Sequence, residues 1–152
     1  EVIGDKIMDR RVIHIYGASG SGTSTIVSLL AISWDIFLWI QMTISGSLVD
    51  WGDELIPLFT LAVRVETDTA IRIDRLKRRE CENFGNRIDL GGDMYENHQV
   101  FIIWAASYDS GGLDMRSKPK HDEWQKLLQC HQILLDGSLP VEKNFEIVRQ
   151  NL

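Results

Sequence analysis

The sequence predicts an α/β fold built on a parallel sheet, and three observations carry that prediction. Short apolar, β-branched runs alternate with helix-patterned stretches, the order that βαβ units produce. A glycine-rich segment sits directly between the first such run and the first helix. The chain of 152 residues, 44% hydrophobic and 25% charged, suits a single domain with its own core. A chain of this size buries roughly 68–70% of its unfolded surface. Disordered, collagen-like and disulfide-scaffold classes are excluded by the same composition.

Taken in order, residues 1–10 are polar, with Asp5, Lys6, Asp9 and Arg10, and read as a loosely held lead-in rather than an apolar secretory signal. Val12-Ile13-His14-Ile15-Tyr16 is an unbroken apolar run, a buried strand closed by Gly17. Ile26, Leu29, Leu30 and Ser33 fall at helical spacing and predict a first helix over residues 23–33. Residues 26–44 are apolar enough to raise a membrane span, but Asp35 at the middle carries a penalty of roughly 2.5–3.5 kcal/mol on insertion scales. Buried core is the better reading. Residues 38–44 and 58–65 are strands, with a turn or sheet edge at Pro57. Asp68 or Thr67 caps a helix through Ile71, Leu76 and Cys81, and Gly85 stops it. An insert bounded by Gly91-Gly92 and Gly111-Gly112 holds an amphipathic helix with Tyr95, Phe101, Ile102, Trp104 and Tyr108. The paired glycines predict hinges. Residues 121–128 read as helix, 132–135 as the last strand, and Pro140 opens a final helix through Val141, Phe145 and Val148.

Sixteen basic against 22 acidic residues give a net charge of -6. No broad basic surface is therefore expected for a nucleic-acid backbone, although a local cationic site is compatible with this balance. Cys81 and Cys130 stand without CxxC spacing, which points to a reducing cytoplasm and two inert thiols.

The segment Gly17-Ala18-Ser19-Gly20-Ser21-Gly22-Thr23-Ser24-Thr25 is placed where a phosphate-binding loop belongs. Glycines let backbone N–H groups turn inward around an anion, and the following helix terminus adds partial positive charge. Against the pattern G-x-x-x-x-G-K-[ST], Gly17, Gly22 and Ser24 match, while Thr23 occupies the lysine position. Ser24 is the candidate magnesium ligand through the nucleotide, with Thr25 the substitute if the register shifts. Without the lysine, phosphate charge must be met by magnesium and by arginines from elsewhere. A glycine turn that binds nothing is the plain alternative, and it needs fewer glycines and hydroxyls than these nine residues hold.

With Ile44-Ser45-Gly46-Ser47, Trp51-Gly52-Asp53, Gly91-Gly92-Asp93-Met94-Tyr95-Glu96, Trp104-Ala105-Ala106-Ser107-Tyr108-Asp109 and Met115-Arg116-Ser117, the loop resembles a bacterial family of adenylate-kinase-like P-loop proteins. The likeness runs from Val12 onward. It implies a three-layer α/β/α P-loop NTPase fold with a parallel sheet, one domain over residues 1–152, and a lid-like helical insert at about residues 85–116. It also implies an ATP- and Mg²⁺-dependent phosphotransferase acting on a nucleotide or other small acceptor, cytoplasmic, with neither nucleic acid nor membrane as partner. A homodimer stays open. The alternative is a nucleotide-binding regulatory protein that has lost catalysis with the lysine; a loop binding only inorganic anions is a third.

In kinases of this kind, arginines four apart on the helix before the lid face the nucleotide. Arg75 and Arg79 have that spacing, which places both on one helix face. A solvated basic face with Arg72, Lys77 and Arg78 is the equal alternative. Arg87 and Arg116, flanking the insert, complete the catalytic candidates. The nucleotide contacts are Gly17, Ser19, Gly20, Ser21, Gly22, Thr23, Ser24 and Thr25, joined by Asp136 and Gly137, whose loop resembles the one that meets adenine. A helix-capping turn at Ser138 suits the same residues. After the first helix such kinases carry an acceptor-holding domain; here helix-like sequence meets strand-like sequence with no turn residue, so that segment is absent near residues 33–35. Residues missing from the chain are the favoured explanation.

Other residues divide between roles. Asp53 is expected either to orient magnesium or an acceptor, or to form a turn. His14 is read as a packed or edge histidine rather than a ligand, and no metal is assigned to His98 or His121. Asp93, Glu96 and Asp109 are expected to pair with the arginines of the insert or to solvate it, and Trp104 with Tyr108 to form its apolar face.

Overall fold

Four strands, all parallel among the described residues, form the sheet in a computed structural model that describes residues 11–33 and 40–152. β1 (Arg11–Gly17) leads through the glycine loop into α1 (Thr23–Ile32), and β2 (Ile40–Ser45) pairs alongside β1. A 3-10 segment (Asp53–Leu58) precedes β3 (Leu61–Glu66), which lies on the other flank of β1. Next come α2 (Thr69–Phe84), α3 (Tyr95–Ala106) and α4 (Lys118–Trp124), then β4 (His131–Asp136) beside β3 and α5 (Val141–Gln150). The order β2-β1-β3-β4 makes β1 interior, with connections leaving it in opposite directions. In open α/β sheets that reversal opens a crevice beyond the carboxyl ends of the strands.

Strand alternation sends neighbouring residues to opposite faces. Ile13, Ile15, Val63 and Leu135 pack with Ile26 and Leu30 of α1 and Val148 of α5. Tyr16 and Ala62 pack on the other face with Leu48, Phe59, Trp124 and Leu128. Both faces are therefore covered, an α/β arrangement compatible with the expected α/β/α layering. No helix among the described residues is long and apolar enough to cross a membrane.

Three sequence expectations change. The third strand begins at Leu61 rather than Leu58, because Pro57 lies in the 3-10 segment and Phe59 N–H closes it on the Ile56 carbonyl at 3.2 Å. The amphipathic helix of the insert ends at Ala106, and Tyr108 falls in a tighter 3-10 turn. Tyr108 is buried while Trp104 is 36% exposed, so the two do not form one apolar face. α3 instead turns His98 and Ala105 inward and leaves Val100 and Ile103 in solvent. The last helical stretch before β4 starts earlier than expected, at Lys118, where the Ser117 hydroxyl accepts from Lys120 N–H at 3.2 Å. The break expected near residues 33–35 and the start of the second predicted strand fall largely outside the described residues.

Candidate functional site

The loop after β1 is held open by backbone geometry that its sequence requires. Gly20 and Gly22 adopt φ of +81° and +99°, the left-handed region that glycine enters without penalty. At Gly20 a side chain is also excluded by space, since a Cβ would sit 2.8 Å from the Arg72 carbonyl. α1 then starts at Thr23 with no side-chain cap on its first N–H groups. Those donors are available to an anion.

A cleft of about 480 Å³ lies over the loop, lined by Ser19, Gly20, Gly22, Thr23, Ser24 and Thr25, and walled by Ser45 and Gly46 at the end of β2. Three guanidiniums line it as well: Arg75 and Arg79 from α2, and Arg116 from the segment before α4. No Asp or Glu lines it. Arg75 donates to the Gly137 carbonyl at 2.9 Å and reaches the Gly20 carbonyl at 3.5 Å, so it latches the loop to the turn after β4. Arg79 is half-exposed, with only a long 3.9 Å contact to Glu80. Arg116 donates to the Gly17 carbonyl, and its Nε is buried without a hydrogen-bond partner. Burial holds the Arg116 guanidinium below its ordinary pKa. Of the loop hydroxyls, Ser21 is buried and its Oγ has no partner. Ser24 and Thr25 are exposed.

Of the four arginines singled out by sequence, Arg87 stands apart. It forms a two-pronged pair with Asp93 at 2.9 and 2.7 Å on the surface of the insert and does not line the cleft. That pairing holds the Asp93 carboxyl below its usual range. Asp136 is also drawn away: its carboxylate accepts from Ser138 N–H at 2.8 Å and from the Ser138 hydroxyl at 2.6 Å. Gly137 N–H donates to the Glu66 carbonyl at 2.7 Å, leaving its carbonyl to Arg75. Asp53 accepts from Trp124 Nε1 at 2.8 Å, a structural bond.

Residues that sequence reasoning passed over hold the site together. Arg72 was grouped with the solvated basic residues, yet it is 1% exposed. Its guanidinium donates to the carbonyls of Ser19 (3.3 Å), Ala105 (3.2 Å) and Thr67 (3.1 Å), pairs with Asp109, and lies 5.1 Å from the Tyr108 ring centre. One side chain therefore ties the glycine loop, the base of α2 and the end of the insert. The available signal was its spacing, four residues before Leu76 on the buried side of α2. A second connection runs through His121, whose ring nitrogens bond Ser47 Oγ at 3.1 Å and the Tyr108 hydroxyl at 2.7 Å. It joins the wall after β2 to the insert. Among the described residues no group of three or more His, Cys, Asp or Glu is placed to hold a metal.

No protein-family model matches the chain. It is similar to YqaC of Bacillus subtilis (strain 168), an uncharacterized protein, at 29% identity over 170 aligned positions that cover 91% of this chain and 96% of that one. The aligned positions outnumber the 152 residues here, so the relative carries residues with no counterpart in this chain.

Proposed function

We propose that the chain is an ATP- and Mg²⁺-dependent phosphotransferase of adenylate-kinase-like P-loop type, acting on a nucleotide or other small acceptor. One observation carries this reading: three arginines from two separate segments converge with the glycine loop on a cleft that no carboxylate lines. A cleft of that charge suits a polyphosphate, whose transfer depends on positioning and charge neutralisation. The parts fit a nucleotide. Gly20, Gly22, Thr23 and Ser24 line the cleft, and the start of α1, which no side chain caps, adds its dipole. Magnesium, when bound, would neutralise phosphate charge. Ser24 is the side chain that would share it, with the remaining ligands from the phosphates and water, as this ion prefers. Thr23 supports a second reading, a nucleotide-binding regulatory protein without turnover.

Thermal unfolding with Mg²⁺ and ATP, GTP, ADP, AMP or inorganic phosphate tests the site. Ligand at about 100 times its dissociation constant stabilises by about 2.7 kcal/mol. For a chain of this size each kcal/mol moves Tm by roughly 2–4 °C. A base-selective rise is expected. A rise equal for ATP and phosphate would reduce the site to an anion pocket, and binding without phosphoryl transfer to any acceptor would favour the regulatory reading.

A further inference from the structure

Position 23 leaves this loop without its own cation, and the three cleft arginines are not equivalent substitutes. Arg75 is committed to two backbone carbonyls, Gly20 and Gly137. Arg79 is half-exposed on α2 and leans towards Glu80. Arg116 differs from both. It is half-buried, its one hydrogen bond is to the carbonyl of Gly17, the first residue of the loop, and its Nε is enclosed with no partner. Among the described residues it has no carboxylate partner at all.

A cation half withdrawn from water without a counter-ion is costly, and such a group in a cleft is suited to an anion supplied from outside. The backbone that carries it is fixed: Ser117 Oγ donates to the Gly112 carbonyl at 2.7 Å and caps α4. We propose that Arg116 performs for the bound phosphates the task of the missing loop lysine, so that the cation of this phosphate loop is supplied in cis from the end of the insert. The inference rests on the nucleotide reading of the cleft and assigns the cation within it. It has a structural consequence: phosphate binding and the position of the insert become one equilibrium, because the loop cannot be fully charged unless residues 111–117 sit against it.

The test measures Mg·ATP and Mg·ADP affinity by calorimetry, with apo Tm, for wild type, R116Q, T23K and the double variant. R116Q is expected to weaken both nucleotides by about tenfold to a hundredfold, the loss of one charge-assisted contact. Apo Tm should hold or rise, since an uncompensated half-buried charge is removed while an amide can still reach the Gly17 carbonyl. Adding T23K to R116Q should restore affinity, and T23K alone should gain less than it gains in the R116Q background. Wild-type affinity in R116Q would overturn the proposal, as would a folded double variant with no recovery. A large fall in apo Tm with unchanged affinity would make Arg116 a structural residue and overturn it equally. If R116Q does not fold, R116K and R116K/T23K replace it: the shorter ammonium should bind nucleotide more weakly, and T23K should recover the loss. No nucleotide binding in any variant, wild type included, would instead remove the reading of the cleft itself.

Discussion

At the scale of single residues, the site depends more on Arg72 than on the residues that resemble a phosphate-binding pattern. Its guanidinium bonds three carbonyls that are otherwise left without those donors. Arg72→Met keeps the packing stem but takes the donor from one buried and two part-buried carbonyls, and a buried acceptor left without a partner costs about 1–3 kcal/mol. We expect a loss of about 2–4 kcal/mol, read as a lower urea midpoint at unchanged m-value. An unaltered midpoint would show that solvent satisfies those carbonyls. Gly20→Ala should also destabilise, by at least about 1–2 kcal/mol for a side chain in the left-handed region, with the approach to the Arg72 carbonyl adding to it. If Gly20→Ala unfolds at the same urea concentration as wild type, the loop does not hold that conformation in solution. The glycines were legible because left-handed backbone demands them. Arg72 was not, since an arginine three residues before another looks the same whether it faces water or a buried carbonyl.

The element that organises the cleft is α2. Its start was readable: Asp68 accepts from Ala70 N–H at 2.8 Å, and Gly85 follows the last turn with φ of +54°. Asp68→Ala should cost about 1 kcal/mol, the usual worth of such a cap. Urea unfolding with no change in midpoint would mean that the tertiary contacts of Arg72 alone fix the helix start. The helical period likewise put Arg75 and Arg79 on one side, and both line the cleft. The insert was less legible. Its helix carries apolar residues around much of its circumference, so period alone did not select which of them turns inward, and the change to 3-10 geometry at Ser107 redirected Tyr108. Arg87 illustrates the same difficulty. Asp93 lies six positions further on, and only the fold of the intervening turn made them partners.

Across the whole molecule, two buried histidines predict its response to acid. His14 is fully buried, stacked near Tyr16 and Phe59 at ring distances of 5.1 and 5.0 Å, and burial pulls its pKa down to about 4. Burial, then the nearby Arg116 and Arg64 charges, lower His121 to about 3. Both are bases whose folded values lie below the ordinary 6.5, so the unfolded chain takes up protons first. Their neutral state contributes fully above about pH 6.5, and stability falls as pH drops from there towards 4 and 3. For His14 the shift corresponds to roughly 3 kcal/mol between neutral pH and pH 4. Tm measured from pH 7.5 to 4.5 should therefore decline in wild type and decline less in His14→Phe. Parallel curves would assign the acid response to His121 or to carboxylates.

What the sequence determined by itself is the frame: strand, glycine loop and helix in order, the α/β class, the capped start of α2, and the three glycines of the loop that leads into α1. These are local properties, set by backbone conformations that few residues tolerate and by periods of two and 3.6 residues. Tertiary structure decided which cations meet. Arg116 lies 99 positions from the loop carbonyl it binds, and Ser47 lies 74 from His121. Spacing carries no information about such pairs; they form because β1 is interior to the sheet and the chain returns over its carboxyl end, bringing distant side chains into one cleft.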